Sequence, residues 1–236
     1  MTVMGISKIL SSIIFGGSAV CISCGRKLRR ERFSLIDGSV GICSECFKTL
    51  KFTKRGSSFA ADGPITYLLS PLEYNGAAEN ILRAFKFRSD FKNGDIINTI
   101  IKEFLEGYPQ LHAFDRIIPV PLSEERLNER GYNQSELIAI GISEALSVPV
   151  DTDTLIRIRN TVRQSSLPAM ERAENVKGAF LAQGKLSGER IILVDDIYTT
   201  GSTMKNCAKA LIEIDAAEIV GFSAATKIRK ESPLLI

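Results

Sequence analysis

Two adjacent carboxylates, Asp195 and Asp196, follow an apolar run and precede a loop rich in hydroxyls. The run is Ile191-Ile-Leu-Val194, and the loop holds Thr199, Thr200, Gly201, Ser202 and Thr203. Beyond it, Met204, Cys207, Ala208, Leu211 and Ile212 recur at the spacing of one helix face. A buried strand, a loop and a helix start are predicted in that order. Such a loop aims several backbone N–H groups and the positive end of a helix dipole at one point. The hydroxyl side chains add donors, and Gly201 lets the backbone come close to a ligand. A phosphate monoester suits that nest. The two acids beside it can accept hydrogen bonds from sugar hydroxyls, so the string as a whole suits a ribose 5-phosphate. The plainer alternative is an ordinary strand-to-helix turn with a hydrophilic loop.

Metal chemistry is the second signal. Four of the five cysteines form Cys21-Ile-Ser-Cys24 and Cys43-Ser-Glu-Cys46, eighteen residues apart. That spacing matches a tetrahedral four-cysteine zinc site, and Gly25 suits the tight knuckle turn after the first pair. Disulfides need an oxidising compartment, for which the sequence shows no address. Redox catalysis needs only one pair. A structural zinc on Cys21, Cys24, Cys43 and Cys46 is therefore expected. Cys207 lies on an apolar helix stripe and reads as a small core residue.

Two further stretches are polar enough to meet anions. A strand at 115–120 feeds a turn at Arg130-Gly131 and then a helix, which is a second anion-binding device. Glu124, Glu125 and Glu129 offset Arg126 and Arg130, so a solvated loop of mixed charge is the alternative. Residues 157–176 are long and polar, with Thr161, Arg163 and Gln164 near their start. Lys86-Phe-Arg88 closes a helix, where its charges complement the helix C-terminus.

Val194-Asp-Asp-Ile-Tyr-Thr-Thr-Gly-Ser-Thr203 resembles the phosphoribosyl-pyrophosphate (PRPP) signature of type I phosphoribosyltransferases. The resemblance implies that Asp195 and Asp196 hold the ribose hydroxyls and that 199–203 hold the 5-phosphate. More widely, the chain resembles the ComF/GntX family. The segments that carry this are the double Cys-x-x-Cys, Lys86-Phe-Arg88, Pro119-Val-Pro121, Arg130-Gly-Tyr-Asn-Gln134, Thr161 to Gln164, Glu171-Arg172 with Asn175-Val176, and Asp195 to Thr203. By that resemblance, Arg130 and Gly131 belong to a pyrophosphate loop, and Arg163 and Gln164 to a mobile lid. Mg2+ arrives with PRPP, a nitrogen nucleophile attacks C1, and pyrophosphate leaves. The family is also associated with DNA uptake during competence. Two departures stand out. Purine-salvage enzymes carry an acid where this chain has Thr199, and they carry a hood over the base. Here about ten residues follow the last expected strand, so acceptor specificity is expected from the N-terminal segment. No catalytic residue is assigned, and His112, the single histidine, lies outside every motif.

The elements needed to position these groups are legible as a pattern. From about residue 64, strands and helices alternate, which predicts a parallel α/β sheet. Strands are expected within 64–74 and at 115–120, 155–159, 191–194 and 218–225. Helices are expected around Ala78 to Phe85, Ile96 to Leu105 and Gln134 to Leu146. The fold class is thus α/β, a type I phosphoribosyltransferase-like parallel twisted sheet flanked by helices. A small N-terminal four-cysteine zinc module precedes it. Residues 1–60 are read as a helix plus that module, 51–63 as containing a linker, and 64–236 as the phosphoribosyltransferase-like domain.

Composition narrows the partners. The 236 residues are 44% apolar, enough for a sizeable core. A net charge of +3 does not by itself signal nucleic acid. Residues 21–60 are different, with nine basic residues (Arg26, Lys27, Arg29, Arg30, Arg32, Lys48, Lys51, Lys54, Arg55) against three acids. After a zinc tetrathiolate this leaves about +4 on a small surface. Phe33, Phe47, Phe52 and Phe59 are interleaved and could stack on bases. Single-stranded DNA is the second candidate partner, beside PRPP or a ribose-5-phosphate nucleotide. The module then serves a DNA-handling adaptor in which the phosphoribosyl site is a sensor. The alternative for the aromatics is a mini-core, and for the charges a solvated face. No apolar run of about 18 residues is present, so no spanning helix is expected, and the expected location is cytoplasmic. Ile6, Ile9, Leu10, Ile13 and Ile14 predict an amphipathic N-terminal helix.

Overall fold

A computed structural model describes residues 20–28, 40–54, 56–59, 61, 63–87, 92–159, 177–227 and 231–233. Two short strands, β1 (Val20–Cys21) and β2 (Val40–Gly41), pair in parallel and are followed by helix α1 (Ser44–Thr49). Next come β3 (Ser57–Phe59), β4 (Leu68–Leu69) and β5 (Leu72–Glu73), then helices α2 (Gly76–Phe87) and α3 (Lys92–Leu105). A 3-10 turn (Pro109–Ala113) leads to β6 (Arg116–Pro119), α4 (Glu124–Arg130) and α5 (Gln134–Leu146). The chain ends with β7 (Leu155–Arg157), β8 (Phe180–Ala182), β9 (Arg190–Tyr198), α6 (Ser202–Glu213), β10 (Glu218–Thr226) and β11 (Glu231–Pro233).

The main sheet runs β11-β3-β4-β10-β9-β6, with β5 also on β10. β9 lies parallel to β10 on one side and to β6 on the other. It is covered on both faces, so Ile191, Ile192, Leu193 and Val194 have no exposed surface. That double cover explains an unbroken apolar run where a half-buried strand would alternate. Helices α2, α3 and α5 pack on one face, and α6 with the β7–β8 pair packs on the other. The expected α/β architecture is therefore present. Among the described residues no helix is long and apolar enough to cross a membrane.

Four local features differ from expectation, each for a visible reason. The strand expected within 64–74 is two pieces, β4 and β5, because Pro71 has no N–H for the ladder. Its carbonyl instead accepts from the Thr53 amide at 3.0 Å. The linker expected at 51–63 is built into the sheet: Glu73 N–H donates to Lys51 O, and β3 pairs antiparallel with β4 and β11. Phe59 is consequently buried core and offers no ring to a base. Lastly, β7 leaves the main sheet and pairs antiparallel with β8. Asp151 steers that departure by accepting from the amides of Asp153 and Thr154 at 3.0 and 2.9 Å. Its other oxygen accepts from Thr154 Oγ1 and Arg116 Nη1 at 2.6 and 2.8 Å. Burial pushes its carboxyl up, but these donors outweigh burial and hold it at about 2. The N-terminal helix expected over 1–20 falls almost wholly outside the described residues.

The cysteine-bearing segment shares the sheet's core. Cys21, Ile22, Ile42, Cys43 and Leu50 pack in one cluster with Ile81, Phe85 and Ile97. Tyr108 ties the next stretch down: it is fully buried, and its hydroxyl donates to Ser57 O at 2.6 Å. Tyr108→Phe removes that bond while keeping the ring. It should lower the urea-unfolding free energy by about 1–2 kcal/mol with an unchanged denaturant slope. An unchanged midpoint would show that the bond contributes nothing.

Candidate ligand cleft and metal centre

The C-terminal ends of β5, β10, β9 and β6 surround a cleft of about 540 Å3. Open α/β sheets bind ligands at this edge, outside the carboxyl ends of their strands. β9 supplies the floor. Asp195, Asp196 and the loop residues Thr199, Thr200, Gly201, Ser202 and Thr203 all line it. The sequence thus places its first motif correctly on a strand, a loop and a helix N-terminus.

Each part of the floor is held from outside. Asp195 Oδ1 accepts from Ser135 Oγ at 3.2 Å and from the Asp196 amide at 2.8 Å. Ser135 sits at the start of α5, where its amide donates to the capping Asn133 Oδ1 at 3.1 Å. Asn133 Nδ2 in turn donates to Val120 O at 3.0 Å, just past β6. A chain of hydrogen bonds therefore links the loop after β6 to the first acid of β9. At the other end of the loop, Gly201 caps α6 in the left-handed region with φ 74°. A Cβ there would lie 2.2 Å from the Tyr198 hydroxyl, so both conformation and space require glycine. The α6 N-terminus then faces the cleft beside Thr200 Oγ1 and Ser202 Oγ, which are 3.0 Å apart.

The β6 side of the cleft is cationic. Arg126, Arg130 and Arg157 line it. Arg130 Nη1 donates to Gln134 Oε1 at 2.6 Å, and Gly131 ends α4 in the left-handed region with φ 78°. Burial lowers the pKa of Arg157, and the charge of Arg126 lowers it further. Two guanidiniums that oppose each other's charge suit an anion. The tight turn expected at Arg130-Gly131 is there, and the stretch before it, expected as loop, is helix α4. Arg126 and Arg157 were missed as cleft residues. Arg163 and Gln164, expected as a lid, lie outside the described residues, as does Arg88.

Tyr74, Glu79, Arg83 and Lys227 line the cleft on the β5 and β10 side. None of them was singled out from the sequence. The available signal was positional, since Tyr74 and Lys227 each follow directly on a strand that ends at this edge.

The four cysteines expected to bind metal do converge. All their sulfurs lie within 4.8 Å of one another, and Cys24 Sγ is 3.8 Å from Cys43 Sγ. Zinc–sulfur bonds of about 2.3 Å in a tetrahedron put sulfurs about 3.8 Å apart. The first pair sits on a tight knuckle: Cys21 N–H donates to Arg26 O, Gly25 N–H donates to Cys21 O, and Gly25 has φ 74°. Backbone amides also face the sulfurs, from Cys43 to Cys21 Sγ at 3.3 Å and from Cys46 to Cys43 Sγ at 3.5 Å. Burial, and then the neighbouring Cys43, Cys24 and Cys21, push the Cys46 thiol up to about 12 against the opposing effect of Ser23. Thiolates crowded in this way need a cation among them. The cluster can hold a metal ion.

Similarity to known proteins follows the same outline. Residues 133–233 match the family model described as phosphoribosyl transferase domain. The chain is 32% identical over 225 residues to Competence protein ComFC of Bacillus subtilis, covering 89% of this chain and 84% of the relative. It is 29% identical over 206 residues to DNA utilization protein YhgH of Salmonella typhimurium, covering 85% and 87%. A solved structure, that of the allosteric regulatory enzyme of purine biosynthesis, aligns with 61% of this chain and 30% of its own at 22% identity and a TM-score of 0.41. By the likeness to ComFC, which spans most of both chains, this chain belongs to the ComF family.

Proposed function

We propose that the cleft binds PRPP with Mg2+ and serves phosphoribosyl transfer or phosphoribosyl sensing. One observation carries this reading: a single cleft joins the adjacent carboxylates Asp195 and Asp196, a hydroxyl-rich helix N-terminus, and Arg126, Arg130 and Arg157. Those groups complement, in order, a sugar diol, a 5-phosphate and a pyrophosphate. Asp195 and Asp196 accept from the ribose hydroxyls, with Asp195 oriented by Ser135. Residues 199–203 donate to the 5-phosphate from hydroxyls and from the N-terminus of α6. Arg130, on the turn at Gly131, stabilises charge that grows on the leaving pyrophosphate. Arg163 and Gln164 belong to the lid that keeps water from the electron-poor C1. Mg2+ brought in with PRPP would find Asp195 and Asp196 as its protein-side carboxylates and would supply charge neutralisation. A role in DNA uptake or use is supported by relatives named for competence and for DNA utilization.

The four cysteines are assigned a structural zinc, which the sulfur separation supports. A second reading gives the N-terminal module a single strand of DNA. Phe52 favours it, being 39% exposed between Lys51 and Lys54.

Three outcomes are expected. PRPP with Mg2+ should raise the melting temperature of the wild-type chain and leave that of the Asp195→Asn/Asp196→Asn variant nearly unmoved. Each lost charge-assisted bond is worth about 1.5–3 kcal/mol, so affinity should fall by at least about 100-fold. An equal shift in both proteins would refute the assignment. Protein purified without chelator should carry about one zinc per chain. Because Cys21 and Cys43 belong to the core that holds α2 and α3, removing the metal should lower the unfolding midpoint of the whole chain. A metal-free sample with the wild-type midpoint would count against a structural zinc. For DNA, fluorescence anisotropy over a salt series should give a slope of log affinity against log salt of about −2 to −3, at about 0.7 per phosphate. Lys51→Ala/Lys54→Ala should flatten that slope by about 1.4, and Phe52→Ala should weaken binding by about 1–3 kcal/mol. Binding that ignores all three changes would leave the module a scaffold.

A further inference from the structure

The turn that carries Arg130 is pinned residue by residue. Gly131 N–H donates to Leu127 O at 2.7 Å, Tyr132 donates from its hydroxyl to Phe85 O, and Asn133 Nδ2 donates to Val120 O at 3.0 Å. These bonds fix the path of the chain between α4 and α5. They leave the Arg130 guanidinium at the end of a long, flexible side chain, and a charge that must meet a ligand at a set place needs its own hold. Gln134 supplies one. It is the first residue of α5, it lines the cleft beside Arg130, and its Oε1 accepts from Arg130 Nη1 at 2.6 Å. The two residues are four apart yet belong to different helices, because Gly131, in the left-handed region, turns the chain between them.

A carboxamide at this position carries a penalty. Gln134 is 1% exposed, and its Nε2 is buried with no acceptor at hydrogen-bond geometry among the described residues. Burial pushes the Tyr132 hydroxyl up, and Gln134 and the charge of Arg130 oppose this only in part. A buried donor left unsatisfied is costly. A glutamate has the same shape, carries no such donor, and could accept from the guanidinium with both oxygens. It would also put a negative charge on the first turn of α5, where the helix dipole favours one. A glutamate would, however, neutralise at close range the charge that Arg130 presents to the cleft. The carboxamide orients the guanidinium and adds no charge.

We propose that Gln134 is a positioning residue of the cleft: its neutral carboxamide holds the Arg130 guanidinium where the pyrophosphate group of PRPP lies, and does so without cancelling its charge. This rests on the PRPP reading. Gln134 acts through Arg130, so its influence is confined to one end of the ligand. The pyrophosphate end depends on it, and the ribose 5-phosphate end, at Asp195, Asp196 and the 199–203 loop, does not. Ser135, the next residue, donates to Asp195 Oδ1. Ribose 5-phosphate is therefore the control for any disturbance of the first turn of α5.

The test uses the full chain with Mg2+ and three probes, PRPP, pyrophosphate and ribose 5-phosphate, with affinities read by titration calorimetry and folding checked by circular dichroism. Gln134→Met keeps the length of the side chain and removes the acceptor, and should weaken PRPP and pyrophosphate by about tenfold. Gln134→Glu keeps the hold and neutralises the charge, and should weaken both by about tenfold or more. Neither change should move the affinity for ribose 5-phosphate by more than about twofold. Arg130→Met lowers pyrophosphate affinity by itself, and in that background Gln134→Met should add nothing, because it acts through the arginine. Wild-type pyrophosphate affinity in either single variant overturns the inference. So does a parallel loss of ribose 5-phosphate, or a full additional loss when Gln134→Met is combined with Arg130→Met. Should Gln134→Met fail to fold, Gln134→Glu carries the decision. If neither PRPP nor pyrophosphate binds the wild type, the PRPP reading itself fails, a result distinct from the others.

Discussion

Strand β9 is the constraint from which the cleft follows. Ile191, Ile192, Leu193 and Val194 are shielded completely, and burying each such side chain is worth about 1.5–3 kcal/mol. Only a central position with both edges paired and both faces covered achieves this, and β10 and β6 supply the edges in parallel. Parallel neighbours all end at the same side of a sheet. The first polar residues past the buried run, Asp195 and Asp196, therefore emerge among the ends of β5, β6 and β10. The place where these acids stand is set by burial upstream of them.

Carboxylates so close to a sealed core need partners, because burying an unpaired charge is costly. One oxygen of Asp195 is satisfied by Ser135 and by the neighbouring amide. The same hydrogen-bond chain continues through Asn133 to Val120. The turn that carries Arg130 and the strand that carries Asp195 are thus fixed relative to one another before any ligand arrives. Tyr132, on that turn, also donates from its hydroxyl to the carbonyl of Phe85 at the end of α2. Opposite charges then face each other across the cleft at set positions.

Chemistry that lies in consecutive residues was legible in the sequence, and so was periodicity. The 191–203 string and helix Gln134–Leu146 stand where the pattern put them. What escaped depends on geometry that a linear reading lacks. Arg126 and Arg130 look neutralised by Glu124, Glu125 and Glu129 when charges are merely counted. Once 124–130 is a helix, the two arginines, four apart, share a face, and both line the cleft. Tyr74 and Lys227 are 153 positions apart in number and meet only because β5 pairs with β10. β7 carried a good strand pattern, but pattern does not choose a partner, and the turn at Asp151 gave it β8.

The cysteine module is bound to the same logic through α2. Cys21, Ile22 and Cys43 pack in the cluster that also holds Ala77, Ala78, Ile81, Leu82 and Phe85 of that helix. Asn80 Nδ2 donates to Ser23 Oγ at 3.4 Å, inside the first cysteine pair. The residue before Asn80 is Glu79, which lines the cleft. A helix turn is rigid over that distance, so whatever orders the four sulfurs also fixes how far Glu79 and Arg83 reach toward the strand ends. An amino-terminal segment too small to fold alone thereby becomes part of the wall that faces the ligand.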